Sequence, residues 1–89
     1  MNNVVIDVRE PFEYEINHVS GAINIPLNKI ETSKEIEAFP KDTPIIVYCA
    51  SGNRSIIAMS LLLTKGYTNV INGINKDTVM SKFLSGPNY

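Results

Sequence analysis

The chain has 89 residues, a formal net charge of −1 and 44% hydrophobic residues, which predicts one small globular domain over residues 1–89. The near-neutral charge argues against binding to nucleic acid or an anionic membrane, and no apolar run approaches the roughly 20 residues that cross a bilayer. The N-terminal residues carry no export signal and there is a single cysteine, so we predict a reducing, cytoplasmic setting without disulfide, metal or other cofactor.

Two strands and two helices are predicted in the first half of the chain. Val4–Val8 is mostly apolar, as in a strand inside a parallel sheet. Pro11–Ile16 has proline at a favoured first helical position and apolar residues four positions apart. Ala22–Ile25 alternates and is followed by proline, which predicts a short strand near a sheet edge. Thr32–Phe39 opens with a Thr-x-x-Glu capping box, which predicts a helix with threonine as its N-cap.

The centre of the chain predicts a buried strand followed by a helix. Ile45–Tyr48 is a β-branched run typical of a buried strand, and Ile56–Lys65 is apolar enough for a helix that packs on it and ends at Gly66. Strands that alternate with helices at short intervals predict an α/β fold, with a parallel sheet flanked by helices on both faces. Functional sites in such sheets form beyond the carboxyl ends of the strands, which is where Cys49 lies.

A further strand and a last helix are predicted near the C-terminus. Asn69–Asn72 fits the strand, and the Asn-Gly pair that ends at Gly73 predicts a turn after it. Asn75 or Asp77 is placed to cap the helix, and its apolar residues are Val79, Met80, Phe83 and Leu84. A Gly-Pro pair at positions 86 and 87 predicts its end.

Cys49 stands on a tight turn between the strand Ile45–Tyr48 and the next helix. Backbone N–H groups converge at such a turn and the helix dipole adds partial positive charge, which together favour a thiolate. A cysteine with a pKa of about 8.5 is only about 3% ionised at pH 7, whereas a pKa of roughly 6.5 makes about 75% of it thiolate. Gly52 permits the turn and Arg54 adds positive charge. The alternative is a small buried hydrophobic residue that happens to end a strand.

Four segments in the same order resemble signatures of the rhodanese family of single-domain sulfurtransferases. Val5–Glu10 looks like its first signature, His18–Pro26 its second, Cys49–Ser55 its active-site loop, and Gly66–Gly73 the stretch before its last helix. The resemblance runs from about residue 4 to residue 80, and it implies a rhodanese-like parallel sheet.

The chain departs from the family pattern at two places. Members usually carry a strand and a helix ahead of the first signature, whereas here almost nothing precedes Val4, so one edge of the sheet is expected to be uncovered or shortened. The usual Gly-Gly followed by Trp appears as Asn72 and Gly73 in a chain without tryptophan. We expect Met80 or Phe83 to fill that part of the core.

The resemblance implies transfer of sulfane sulfur through a persulfide on Cys49. The donor is thiosulfate or another persulfide, and the acceptor is cyanide, a thiol or a sulfur-accepting protein. Covalent transfer of this kind runs in two steps. The residues expected to bind the substrate and the persulfide follow the cysteine and are Ala50, Ser51, Gly52, Asn53, Arg54 and Ser55.

For each of the other polar residues near this loop, two roles are considered. Arg54 either pairs with an anionic donor or braces the loop against a neighbouring carboxylate. Asp7 and Arg9 follow a strand that ends on the same side as the cysteine, and they either support the loop or form a structural network. In the family pattern, the place of His18 suggests a structural histidine and not a proton shuttle.

Two other function classes compete with sulfur transfer. One is a non-catalytic rhodanese-like module that binds a protein partner, although such a module has no need of Cys49. The other is a phosphatase or arsenate reductase, which uses a Cys-x5-Arg loop that wraps a tetrahedral anion. Here Arg54 lies one residue closer, in a Cys-x4-Arg loop that suits a single sulfur atom better.

Overall fold

The computed structural model describes residues 3–84, which form a four-stranded sheet with all neighbouring strands parallel. The strands are β1 Val4–Asp7, β2 Ile23–Asn24, β3 Ile45–Cys49 and β4 Val70–Asn75, in the spatial order β2-β1-β3-β4. The α-helices are α1 Pro11–Ile16, α2 Lys34–Glu37, α3 Asn53–Thr64 and α4 Lys76–Val79. A 3-10 helix covers Leu27–Thr32, and a π-helical turn covers Met80–Leu84.

Strand β3 is buried on both of its faces, and its residues alternate between two hydrophobic clusters. Ile45, Val47 and Cys49 face the cluster that contains Ala58 and Leu62 of α3. Ile46 and Tyr48 face the opposite cluster, whose other members are Val5, Val19, Ala22 and Val79, with Tyr14 and Phe83 packed against it. The predicted parallel sheet with helices on both faces is therefore confirmed, and Cys49 lies on the α3 face of the sheet.

The predicted turn after residue 72 is wrong. Strand β4 continues to Asn75, and its pairing with β3 shifts register between Val47 and Tyr48. Gly73 is buried within this strand, where a Cβ atom would lie 2.5 Å from Cγ2 of Val79. The glycine is needed for close packing of α4 on the sheet and not for a chain reversal.

Three helices have an end that can be compared with the sequence prediction, and two of these ends differ from it. Thr32 ends the 3-10 helix, and Ser33 is the N-cap of α2, with its Oγ accepting from the Ile36 amide at 3.3 Å. The predicted threonine cap is therefore one residue early. Helix α3 begins at Asn53, three residues before its predicted start. Asn75 does cap α4, because its side chain accepts from the Thr78 amide.

The core beneath α4 is filled by Val79, which is buried, and by Phe83, which packs against the same cluster. The expectation for Phe83 is confirmed, whereas Met80 is 47% exposed and does not fill this space. The predicted Gly-Pro end of the last helix lies outside the described residues. Among the described strands β4 is one sheet edge, and its Ile71 and Ile74 are exposed.

Candidate active site

The active-site loop is built by a strand, a glycine and a helix in immediate succession. Cys49 is the last residue of β3, and α3 begins at Asn53. Between them Gly52 has φ +100°, a left-handed conformation that costs a residue with a side chain about 1–2 kcal/mol. This reversal turns the Gly52 amide back toward the cysteine, and its N–H donates to Sγ of Cys49 at 3.0 Å.

Cys49 is only 2% exposed, yet it lines an open cavity of about 270 Å³. The cavity is lined by Arg9, Cys49, Ala50, Asn75, Lys76 and Asp77. A second cavity of about 530 Å³ is bounded by residues that include Pro11, Lys29 and Lys34, and it does not include the cysteine. The smaller cavity therefore combines space for a small ligand with the only nucleophilic thiol of the chain.

Two opposing effects act on the Cys49 thiol. Burial raises its pKa, but hydrogen bonds from the Ser55 hydroxyl and from the backbone N–H groups of Ser55, Gly52 and Ser51 lower it, and the pKa lies below its ordinary value. Although the side chain belongs to a hydrophobic cluster, its sulfur atom therefore faces a ring of amides. A buried structural cysteine would have no such ring of donors.

Ser55 connects the cysteine to strand β4. The Ser55 side chain is fully buried, and its Oγ lies 3.5 Å from Sγ of Cys49 and 2.6 Å from Oδ1 of Asn72. The same Oδ1 accepts the Ile74 amide at 2.9 Å. Sequence reasoning missed Asn72, because an Asn-Gly pair is typical of a turn and nothing local indicates a partner 17 positions away.

Arg54 forms a two-pronged ion pair with Glu13 of α1. Its Nη1 and Nη2 donate to the two carboxylate oxygens at 2.8 and 3.1 Å. The hydrogen bond from Arg54 holds the pKa of Glu13 down at about 2. Arg54 is not among the residues that line the cavity, so the structure places it in the bracing position that the sequence left open. Direct contact between Arg54 and a donor stays a prediction.

Asp7, Arg9 and Tyr48 form a network under the cavity. The fully buried Asp7 carboxylate accepts from Arg9 at 2.7 Å and from the Tyr48 hydroxyl at 2.8 Å. Burial raises the pKa of Tyr48 to about 12, so this hydroxyl keeps its proton at neutral pH. Arg9 also lines the cavity, while its guanidinium is held by Asp7 and by the carbonyl oxygen of Asn17. Support of the active-site loop by Asp7 and Arg9 stays a prediction.

The remaining candidates occupy distinct places. Ala50 lines the cavity, Ser51 contributes its backbone N–H to the sulfur, and Asn53 begins α3 outside the cavity lining. His18 stacks on Tyr14 and pairs through Nδ1 with the Tyr14 carbonyl, as a structural histidine does.

The beginning of α4 was missed as part of the site. Asn75, Lys76 and Asp77 line the cavity beside the cysteine, although the sequence indicated only a helix cap there. Lys76 brings a positive charge to the cavity, and Asp77 pairs loosely with it at 3.5 Å. Lys76 thus adds a cationic group to the site, from a separate element of the fold.

A cysteine with a lowered pKa, set between a parallel strand and a helix, defines a class of α/β proteins suited to covalent nucleophilic catalysis. A family model described as Rhodanese-like domain matches residues 1–74. The chain belongs to the rhodanese-like domain family.

Two curated relatives and one solved structure illustrate the similarity. The chain is 42% identical over 78 residues to "Thiosulfate sulfurtransferase PspE" of Escherichia coli, covering 86% of this chain and 75% of that protein. It is 36% identical to "Adenylyltransferase and sulfurtransferase uba4" of Ogataea parapolymorpha, covering 96% of this chain but only 21% of that protein. A structure described as "rhodanese with anions from E. coli" superposes with a TM-score of 0.79 at 36% identity, covering 86% and 91% of the two chains.

These comparisons confirm the predicted family, the rhodanese-like fold and the prediction of a rhodanese-like enzyme. Among residues 3–84 there is no helix of the length and apolar character required to cross a membrane.

Proposed function

We propose that this enzyme moves sulfane sulfur from thiosulfate or a persulfide donor to a thiophilic acceptor through a Cys49 persulfide, within one rhodanese-like domain over residues 1–89. The observation that carries the proposal is the position of Sγ, 3.0 Å from the Gly52 nitrogen and in the wall of a small open cavity. The name of the Escherichia coli relative, a thiosulfate sulfurtransferase, supports thiosulfate as one donor.

In the first step the Cys49 thiolate attacks the outer sulfur atom of thiosulfate. A new S–S bond forms at Sγ, the S–S bond of thiosulfate breaks, and sulfite leaves with the bonding electron pair. The persulfide then carries the negative charge on its terminal sulfur. The backbone N–H groups of Ser51, Gly52 and Ser55 are fixed donors for such a charge, as oxyanion-hole donors are for oxygen.

In the second step a nucleophile removes that terminal sulfur. Cyanide attacks it and forms thiocyanate, while the S–S bond breaks toward Sγ and restores the thiolate. A thiol or a sulfur-accepting protein attacks the same atom in the same way. The acceptor used by the cell, like the cytoplasmic setting, stays a prediction from the sequence.

An anionic donor needs positive charge at the cavity, and Lys76 supplies it there, whereas the guanidinium of Arg9 is already paired with Asp7. Arg54 supports the site indirectly in this proposal, because both of its terminal nitrogens already hold Glu13. The Glu13–Arg54 pair fixes the first turn of α3 against α1 and so fixes the loop that precedes it.

Thiocyanate formation from thiosulfate and cyanide tests the proposal, with Cys49→Ser as the inactive control. Activity no higher than that of this control would remove thiosulfate as a donor. Lys76→Met should raise the KM for thiosulfate about 2- to 10-fold, as expected for one partly exposed charge, while leaving the KM for cyanide unchanged. Lys82→Met, an exposed lysine outside the cavity lining, is the matched control. Equal effects of the two lysine variants would contradict the role of Lys76.

A further inference from the structure

The hydroxyl of Ser55 has more acceptors around it than it has protons. Its Oγ lies 2.6 Å from Oδ1 of Asn72, 3.2 Å from the Gly52 carbonyl oxygen and 3.5 Å from Sγ of Cys49. A serine hydroxyl donates one proton and accepts through its lone pairs. Since Ser55 is fully buried, no bulk water replaces a missing partner.

The ionisation state of the cysteine decides where that one proton points. When Cys49 is a thiol, its S–H donates to Oγ and the Ser55 hydroxyl donates to Asn72, which is its shortest contact. When Cys49 is a thiolate, its sulfur only accepts. The Ser55 hydroxyl must then rotate toward the sulfur, because otherwise a lone pair of Oγ faces the anion.

Asn72 is arranged so that it can release the hydroxyl without being left unpaired. Its Oδ1 also accepts the N–H of Ile74 at 2.9 Å, and this bond remains when Ser55 turns away. The same bond fixes the amide orientation, since only the oxygen atom of the side chain can accept from a backbone N–H. Ile74 has φ +73°, a rare conformation for a β-branched residue, which Asn72 helps to hold.

We propose that Asn72 is a positioning residue that holds the Ser55 hydroxyl proton while Cys49 is a thiol and yields it to the sulfur when Cys49 becomes an anion. The proposal rests on the proposed function, since it concerns the thiolate that sulfur transfer requires. Asn72 competes with the sulfur for one proton, so it opposes ionisation and sets the protonation state of the resting enzyme.

The charged groups around the cysteine do not change in the experiment that tests this competition. They are Arg54 at the start of α3, Arg9 after β1, and Lys76 and Asp77 at the start of α4. Replacing Asn72 by alanine alters none of these charges. A changed thiol pKa in that variant therefore reports hydrogen bonding at Ser55.

The test is a thiol titration, followed by thiolate absorbance and alkylation rate, on four proteins: the unaltered chain, Asn72→Ala, Ser55→Ala and the double variant. Asn72→Ala should lower the Cys49 pKa by about 0.5–1 unit, because it removes the competing acceptor. Ser55→Ala should raise the pKa. In the Ser55→Ala background, Asn72→Ala should change nothing.

A pKa that rises or stays constant in Asn72→Ala overturns the proposal, because a purely structural asparagine would loosen the loop and leave the sulfur with weaker donors. A lowering of the Cys49 pKa by Asn72→Ala that persists in the Ser55→Ala background also overturns the proposal. If Asn72→Ala does not fold, Asn72→Asp provides the test. An aspartate at this position still accepts from the Ser55 hydroxyl and from the Ile74 N–H, and it holds the hydroxyl proton more strongly than asparagine does. Asn72→Asp should raise the Cys49 pKa more when Ser55 is present than in the Ser55→Ala background. Equal increases in the two backgrounds would refute the proposal.

Failure of the proposed function looks different. In that case the unaltered protein forms no persulfide on Cys49 with thiosulfate or a low-molecular-weight persulfide, whatever residue 72 is. Failure of the Asn72 proposal leaves persulfide formation in the unaltered protein intact and appears only in the double-variant cycle.

Discussion

Replacing Gly52 by alanine separates the backbone requirement of the active-site loop from its chemistry. Gly52 has φ +100°, so an alanine there pays about 1–2 kcal/mol for the left-handed conformation. Its Cβ would also lie 3.3 Å from Cγ2 of Ile74, which is tight enough to move the loop by a few tenths of an ångström. The N–H that moves is the one that donates to Cys49 at 3.0 Å.

The chemical effect follows from that hydrogen bond. A hydrogen bond to a charged group contributes about 1.5–3 kcal/mol, which corresponds to about 1–2 pKa units. A loop shift that weakens the bond by half should therefore raise the thiol pKa in Gly52→Ala by about 0.5–1 unit and slow persulfide formation at neutral pH. The free energy of unfolding should fall by about 1–2 kcal/mol.

Gly21→Ala is the matched control. Gly21 has φ +85° with open space where a Cβ atom would lie. Alanine there has a similar backbone cost without approaching Ile74 or Cys49. Alkylation rate against pH gives the thiol pKa of each variant, and urea unfolding gives its stability. We expect similar losses of stability but a raised pKa only in Gly52→Ala. Identical pKa values in the two variants would refute the reasoning that the Gly52 N–H stabilises the thiolate.

Three further variants test the supports of the site. The pKa of Glu13 lies at about 2, below its usual 4.5, so its pair with Arg54 stabilises the fold above about pH 4.5 and loses this effect as the pH falls toward 2. Glu13→Gln should cost about 0.5–1 kcal/mol at pH 7 and almost nothing below about pH 2. Tyr48→Phe removes a donor from the buried Asp7 carboxylate and should cost about 1–3 kcal/mol in urea unfolding. Gly73→Ala places a Cβ against α4 and should lower the free energy of unfolding by about 1–3 kcal/mol.

Each of these expectations has a contrary outcome. A stability difference for Glu13→Gln that is independent of pH would mean that the ion pair is not its cause, and Glu15→Gln, exposed on the same helix, is the reference. Stability of Tyr48→Phe within about 0.5 kcal/mol of the unaltered chain would show that its hydroxyl bond is replaceable. An unaffected Gly73→Ala would contradict the close packing of α4 on β4.

The nucleophile and its loop are predictable from the sequence because their signals are local. A β-branched run, a glycine and an apolar helix within about twenty residues place Cys49 between a strand and a helix. The parallel sheet also follows from the alternation of strands and helices. The lowered thiol pKa needs only the convergence of amides that this turn produces.

The partners of these residues are not predictable in the same way, because they are set by tertiary contacts. Glu13 pairs with Arg54 across 41 positions, and no spacing distinguishes it from the other carboxylates of the chain. Asn72 has the local signature of a turn, yet packing of α4 over Gly73 keeps the chain in a strand and turns the amide toward Ser55. Tertiary packing therefore overrides the turn propensity of the Asn-Gly pair.

Helix α1 shows the same limit for an amphipathic pattern. The spacing of Phe12 and Ile16 is typical of a helix with an apolar face, and the helix does form. Both side chains are nevertheless exposed, at 66% and 76%. Tyr14, which packs on the core, and Glu13, which binds Arg54, hold this helix in place.

The most direct test of sulfur transfer is the intact mass of the protein after incubation with thiosulfate and removal of excess reagent. We predict a gain of about 32 Da, one sulfur atom, that maps to the peptide containing Cys49 and disappears when cyanide is added. The Cys49→Ser variant should show no gain. An unchanged mass after treatment with both thiosulfate and a low-molecular-weight persulfide, in protein whose Cys49 remains free for alkylation, would contradict a persulfide mechanism.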